Sequence, residues 1–297
     1  MKSGSATRVW ATACLMACGC TTVAGLDRRY HLQPDGGDGG SPPADERCDV
    51  EAGAGCVYDR CGDVPDGAPG GVYTIDPDGT GPQEPLHVYC GEPADGGRWA
   101  LVYNSVGRES GSTRAFWNIP YADRLSPKGE PSLDDNHYQP GLYSAGREYR
   151  DDIEDTEGNV AEVLRATAAG IDTEDMTLDS PEHVNPKHVD EDGEDIDKIF
   201  GNQFGAGWSS PDFDGDDMSD RNCAVVYGGV TQHYGSCFVY SLGADAHEAT
   251  AGQSMDAAIA DDDWGPHLDT EVAERFELSN DGSTYTRVKR ISRWTRW

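Results

Sequence analysis

Four segments in one stretch of the chain are the most informative about the fold. They are Cys61-Gly62-Asp63-Val64, Gly70-Gly71-Val72-Tyr73-Thr74-Ile75-Asp76-Pro77, His87-Val88-Tyr89-Cys90 and Gly96-Gly97-Arg98-Trp99-Ala100-Leu101-Val102. Short apolar runs rich in Val, Tyr and Ile, bounded by glycine and proline, are typical of β-strands separated by turns. We therefore expect strands over about 71–75, 86–89 and 99–103. The first and last cysteines of the stretch are 29 residues apart.

Two later stretches, residues 159–168 and 253–260, are rich in alanine, which favours helices. Glycine and proline punctuate the rest of the chain densely, and no repeat of fixed period occurs. The sequence predicts an α+β domain with a β majority.

These segments resemble the opening of a fibrinogen-related (fibrinogen C-terminal-like) domain, with lectin-like relatives such as ficolins and intelectins. Residues 149–159 are similar to a strand and turn of that family, and Asp212-Phe213-Asp214-Gly215-Asp216-Asp217 before Asn222-Cys223-Ala224 resembles its calcium loop. The resemblance implies a mainly antiparallel β fold with few short helices and long loops. It also implies disulfides Cys61–Cys90 and Cys223–Cys237. The family's paired tryptophans are absent, and residues 228–234 stand in their place.

The N-terminus has the features of a secretory signal, with Lys2 and Arg8 before an apolar stretch. Leu15-Met16-Ala17-Cys18 resembles a bacterial lipobox, which predicts cleavage before Cys18 and lipidation of that residue. Cys20 is a competing site, and a plain cleaved signal is the alternative. The expected plan is a signal over 1–18, a flexible Gly/Pro/Asp-rich tether over 19–47 and a fibrinogen-related domain over 48–297.

The cysteines fit an exported chain. Three of the nine fall in the export region, and six remain, an even number that predicts three disulfides. Cys48 and Cys56 are close in sequence, so a small local loop is their natural pairing. Six unrelated buried thiols are the alternative. Since Gly19 follows Cys18, the outer membrane is the expected destination, with a periplasmic or secreted protein as the alternative.

Charge excludes several partners. The chain has 54 acidic and 23 basic residues and a net charge of −31, so nucleic acid and anionic membrane surfaces are not expected to bind. Contact with a membrane is expected through the lipid anchor only. Five basic residues near the C-terminus are interpreted as the outer face of a final strand rather than a nucleic-acid arm: Arg287, Lys289, Arg290, Arg293 and Arg296.

The Asp-rich segment predicts a calcium site formed by Asp212, Asp214, Asp216 and Asp217, because closely spaced carboxylates and carbonyls provide the hard oxygen ligands that Ca²⁺ requires. The segment is not an EF-hand, since it lacks the glycine and glutamate of that loop. The family's ligand offsets fall on Gly215 and Asp217, so a one-residue slip makes Asp214 and Asp216 the preferred pair. A solvated acidic turn is the alternative.

The resemblance implies a ligand pocket beside this loop. By position, Asn222, Tyr227, His233 and Tyr234 are the candidate ligand-binding residues, since aromatic faces pack on sugars and polar groups orient them. The alternative is that both tyrosines fill the core around the second disulfide and that His233 is an ordinary loop residue.

No catalytic motif occurs in the sequence, and His183, His188 and Asp190 are interpreted as a chance cluster rather than a zinc site. We therefore expect a non-enzymatic, calcium-dependent recognition module that binds glycans or acetylated cell-surface groups. The alternative is an adhesive or structural envelope protein that binds another protein, with calcium only structural.

Overall fold

A nine-stranded sheet organises the computed structural model, which describes residues 56–92, 97–106, 113–166, 170–177, 182–183, 188–189, 192–193, 195–203, 207–235, 237, 239–243, 265–280, 282 and 285–297. The strands are β1 (Val57–Tyr58), β2 (Gly71–Ile75), β3 (Leu86–Cys90), β4 (Ala100–Val106), β5 (His137–Tyr138), β6 (Glu148–Glu154), β7 (Val160–Ala166), β8 (Glu182–His183), β9 (Trp208–Ser209), β10 (Gln232–His233), β11 (Tyr240–Ser241), β12 (His267–Asp269), β13 (Tyr285–Arg287) and β14 (Arg290–Arg296).

The main sheet has the order β1-β2-β3-β4-β14-β6-β7-β8, with β5 also paired to β4. Apart from the parallel pair of β1 and β2, its strands pair antiparallel. The strands expected from the opening stretch are confirmed as β2, β3 and β4. Two small antiparallel sheets, β9-β10 and β11-β12-β13, accompany the main sheet.

Helices are few and short. They are α1 (Thr113–Trp117), α2 (Cys223–Val226) and α3 (Thr270–Arg275), with 3-10 turns at Cys61–Asp63, Tyr121–Asp123, Pro140–Leu142 and Ile196–Gln203. Among the described residues, no helix is long and apolar enough to span a bilayer. The predicted α+β class with a β majority is confirmed.

The helix predicted over 159–168 is wrong, because residues 160–166 form β7. Along this strand Ala161, Val163 and Arg165 are buried, while the residues between them are more exposed. This two-residue alternation suits a strand whose one face meets the core. It outweighs the helix propensity of alanine, because intrinsic propensity contributes little compared with tertiary packing. The helix predicted over 253–260 lies outside the described residues.

The last strand, β14, occupies the middle of the main sheet, between β4 and β6. A final strand was expected, but its basic residues do not all lie on an outer face. The side chain of Arg293 is 1% exposed and pairs with Asp151. Lys289 and Arg290 contact Glu154, and Arg296 contacts Glu148. Residues 291–295 of β14 are all buried, so a basic residue among them needs an acidic partner.

Both disulfides implied by the resemblance are confirmed. Cys61 and Cys90 are joined with their Cα atoms 5.5 Å apart, and Cys223 and Cys237 with theirs 5.2 Å apart. Cys56 is also disulfide-bonded. Its predicted partner, Cys48, lies outside the described residues, as do Cys18, Cys20, the signal, the tether and the boundary at residue 48.

Candidate functional site

The Asp-rich loop, residues 211–222, connects β9 to α2. The Asn222 side chain forms hydrogen bonds across this loop. Its Nδ2 donates to the carbonyls of Ser210 at 2.8 Å and Phe213 at 3.1 Å. Its Oδ1 accepts from the Val225 amide at 3.1 Å and caps α2. Asn222 therefore holds the shape of the loop, a different role from the ligand contact predicted for it.

Asp216 is also occupied by protein donors. Its carboxylate accepts from the Ser209 hydroxyl at 3.1 Å, the Met218 amide at 2.9 Å and the Cys223 amide at 2.8 Å. The last bond places this carboxylate beside the disulfide of Cys223 and Cys237. Asp216 thus ties the loop to the base of α2.

Asp212 braces the loop from its other side. Its Oδ1 accepts from the Ser210 hydroxyl at 2.7 Å and from the Tyr121 amide at 2.9 Å. These two hydrogen bonds, that from Ser210 first, lower the pKa of Asp212. Asp212 therefore stays ionised and links the loop to a segment 91 residues earlier in the chain.

Asp214 is exposed, as are Asp212, Asp217 and Asp220, whereas Asp216 is partly buried. Loss of solvent contact, and then the neighbouring negative charge of Asp216, raise the pKa of Asp214. Among the described residues, no group of three or more His, Cys, Asp or Glu side chains is arranged to hold a metal ion. The calcium site at Asp212, Asp214, Asp216 and Asp217 therefore stays a prediction, with Asp214 and Asp216 as its preferred pair.

That pair fits calcium in its chemistry. Both side chains offer only oxygen donors, and two carboxylates close enough to raise a pKa repel each other until a cation lies between them. A calcium ion held here would take most of its six to eight oxygens from loop carbonyls and water.

An aromatic stack beside the loop was not predicted. The rings of Tyr121 and Phe213 are parallel with centroids 3.7 Å apart, and the Arg124 guanidinium lies 4.2 Å above the Tyr121 ring. The Tyr121 hydroxyl and Arg124 both donate to the carbonyl of Glu174. No local pattern marks Tyr121 or Arg124, because the contact joins distant segments.

His233 and Tyr234 do not line an open pocket, contrary to their predicted role. His233 is 2% exposed, its Nε2 donates to the Met176 carbonyl at 2.8 Å, and its Nδ1 accepts from Arg293 at 3.3 Å. Burial, and then the Arg293 charge, lower its pKa to about 3. Tyr234 is fully buried and donates to the Val230 carbonyl. Tyr234 belongs to the core, as the alternative interpretation held, whereas His233 is a buried residue of β10 and not the loop residue of that alternative.

Tyr227 is the remaining candidate. It follows α2, is partly buried, and packs against the apolar cluster that contains the Cys223–Cys237 disulfide. Burial raises the pKa of its hydroxyl. Its partial exposure keeps it available to a ligand.

The interpretation of the histidine cluster as chance stays a prediction, because His188 is the one residue of the cluster whose side chain is described. His188 Nδ1 lies 2.7 Å from Oδ1 of the buried Asp197. Asp190 and the side chain of His183 lie outside the described part of the chain.

No protein-family model and no curated protein matches this sequence. Solved structures do match. The fibrinogen-like globe domain of human ANGPTL2 is 16% identical to this chain, with a TM-score of 0.50. The match covers 80% of this chain and 98% of the ANGPTL2 chain. That of human ANGPTL6 is 16% identical, with coverages of 80% and 95% and a TM-score of 0.51. Lamprey fibrin D-dimer, complexed with Gly-His-Arg-Pro-amide, is 15% identical, with coverages of 80% and 73% and a TM-score of 0.48. The antiparallel sheet, the two predicted disulfides and the ANGPTL2 and ANGPTL6 matches together show that this chain has the fibrinogen C-terminal-like fold.

Proposed function

We propose that this chain is an exported, lipid-anchored recognition module that binds glycans or acetylated cell-surface groups in a calcium-dependent way. One observation carries the proposal. The exposed Asp214 lies next to Asp216 on a loop braced by Asn222 and a disulfide, with an aromatic stack at its side.

Bound calcium would supply positive charge that polarises a ligand oxygen. Asp214 and Asp216 would hold the ion, with Asp216 kept in place by its three protein donors. A loop braced beforehand loses little conformational entropy on binding, and this favours affinity.

The ligand surface would consist of groups around that loop. Tyr121 and Phe213 are each partly exposed, as is Tyr227. Aromatic faces pack on the apolar C–H patches of sugars and on acetyl methyl groups, and nearby polar atoms fix orientation. Since no catalytic motif occurs in the sequence, we propose binding without turnover.

Calcium binding is tested on the full chain by thermal unfolding with calcium or with chelator. At a calcium concentration about 100 times Kd, binding to the native state alone adds about 2.7 kcal/mol of stability. We expect Asp214→Asn to weaken calcium affinity at least about tenfold, since one charged ligand is lost. Without calcium this variant should be no less stable than wild type, because it removes a repelled charge.

Glu130→Gln is the matched control, because it removes one exposed negative charge from another loop. A calcium effect that is equal in both variants would mean that the ion only screens the acidic surface, and this would exclude a site at Asp214.

Ligand class is tested on a glycan array with and without chelator. Binding to glycans that chelation abolishes supports the proposal. Binding to an isolated envelope protein, with no glycan bound, would instead establish the adhesive alternative.

A further inference from the structure

A cavity of about 230 Å³ lies between the turn at Cys61 and the neighbouring ends of β4 and β14. Three arginines line it, Arg60, Arg98 and Arg296, together with Trp297, and none of its described lining residues is acidic. In a chain with 54 acidic and 23 basic residues, this local excess of positive charge runs against the overall composition.

Arg98 is the central feature of the cavity wall. It is 2% exposed, and its guanidinium donates to main-chain carbonyls, including Gly91 at 2.9 Å and Pro65 at 3.0 Å. Its Nε has no acceptor among the described residues, and no described carboxylate pairs with it. Carbonyl dipoles solvate a buried charge but do not neutralise it, so the Arg98 guanidinium has no countercharge among the described residues.

The other two arginines differ from Arg98 because each has an acidic partner. Arg60 is half-exposed, with its Nε 3.2 Å from Asp63 and its Nη1 3.2 Å from the Trp297 carbonyl. Arg296 contacts Glu148 and lies 4.4 Å above the Trp99 ring. The described carboxylates therefore balance two of the three positive charges.

We propose that this cavity binds an oxyanion, a carboxylate, sulfate or phosphate group. Arg98, which has no carboxylate partner in the described part of the chain, would provide positive charge, and Arg60 would be an additional donor. The volume is that of several water molecules at about 30 Å³ each, enough for one such group. Guanidinium groups recognise planar and tetrahedral oxyanions with paired N–H donors. The site shares no residue with the Asp-rich loop, so it stands independently of calcium and glycan binding.

The test measures oxyanion binding to the full chain by titration calorimetry and by the shift in unfolding temperature. Sodium acetate, sulfate and phosphate are titrated separately, with ionic strength held constant by sodium chloride so that general screening of the negative surface does not change. We expect a saturable signal with at least one of the three, and the strongest identifies the class of group. We expect Arg60→Gln to weaken it about tenfold, the effect of one charge-assisted hydrogen bond.

Arg60 is the residue chosen for substitution because its side chain is exposed and tolerates replacement. Replacement of Arg98 removes several carbonyl contacts and risks unfolding the protein. Arg275→Gln is the matched control: Arg275 is an exposed arginine in the last turn of α3 and lies outside both the cavity and the Asp-rich loop. The proposal is overturned if no anion gives a saturable signal, or if both variants lose affinity equally. Unchanged binding to Arg275→Gln with weakened binding to Arg60→Gln supports it.

Discussion

Asp151 is the centre of a buried charged network that joins distant parts of the chain. Arg293 donates to both carboxylate oxygens of Asp151, from Nε to Oδ1 at 2.7 Å and from Nη2 to Oδ2 at 2.9 Å. Arg165 Nη1 and the Tyr240 hydroxyl also contact Oδ2. Burial opposes the charge of Asp151, but its arginine partners outweigh burial and lower its pKa. His233 extends the network through Arg293, so a residue predicted to meet a ligand instead supports the core.

We expect Asp151→Asn to lower the free energy of unfolding by about 3–5 kcal/mol, since it leaves Arg293 buried without its counterion. Urea unfolding at pH 7 measures the loss.

Asp152→Asn on the same strand is the matched control for that experiment. Burial raises the pKa of Asp152 to about 6, opposed in part by Arg150, so its charge is already disfavoured. We expect this variant to lower the free energy of unfolding less than Asp151→Asn does, because a raised pKa means that the folded state already disfavours the Asp152 charge. Equal losses in the two variants would show that the network around Asp151 does not stabilise the core.

Among elements, the turn between β6 and β7 depends on Asp155. Its Oδ1 accepts from the amides of Glu157 and Asn159, each at 2.8 Å, and its Oδ2 accepts from Asn159 Nδ2 at 2.8 Å and the Ser279 amide at 2.7 Å. Burial acts against its charge, but these four donors outweigh burial and lower its pKa. A single carboxylate therefore closes the hairpin and attaches it to the segment after α3.

We expect Asp155→Ala to lower the free energy of unfolding by about 2–3 kcal/mol at pH 7, because several buried donors lose their acceptor. A depressed native pKa stabilises the fold above the unfolded value of about 3.9, and this contribution is lost as the pH falls below it. The difference between wild type and variant should therefore shrink in acid, which unfolding curves from pH 7 to pH 3 measure. Glu157→Gln, an exposed carboxylate in the same turn, should show no such pH-dependent difference. A constant difference across this range would contradict the role of the Asp155 charge.

For the whole molecule, the predicted signal and tether would place an acidic globular domain at the end of a lipid anchor. In this predicted arrangement, Cys18 is the residue that would carry the lipid. We expect Cys18→Ser to abolish incorporation of labelled palmitate when the full chain is expressed in a bacterium with an outer membrane, and to release the protein from the membrane fraction. Cys20→Ser is the control and should leave both unchanged. Labelling lost in Cys20→Ser alone would move the anchor to Cys20, and no labelling of wild type would leave a plain secretory signal.

The sequence by itself determined the features that depend on neighbouring residues. Glycine-bounded apolar runs marked β2, β3 and β4, and the resemblance that these runs carry implied both described disulfide pairs and the position of the Asp-rich loop. Such features are encoded in turn preference and in the two-residue alternation of strands, which act over a few residues.

Only the tertiary structure decided which side chains were buried and which segments met. It placed β14 at the centre of the sheet, made β7 a strand despite its alanines, and buried His233 and Tyr234 in the core. It also brought Tyr121 to Asp212 and assigned Asn222 and Asp216 to bracing the loop. These outcomes follow from long-range packing, because a charged or aromatic residue has the same local pattern at a surface or in a core until a distant partner contacts it.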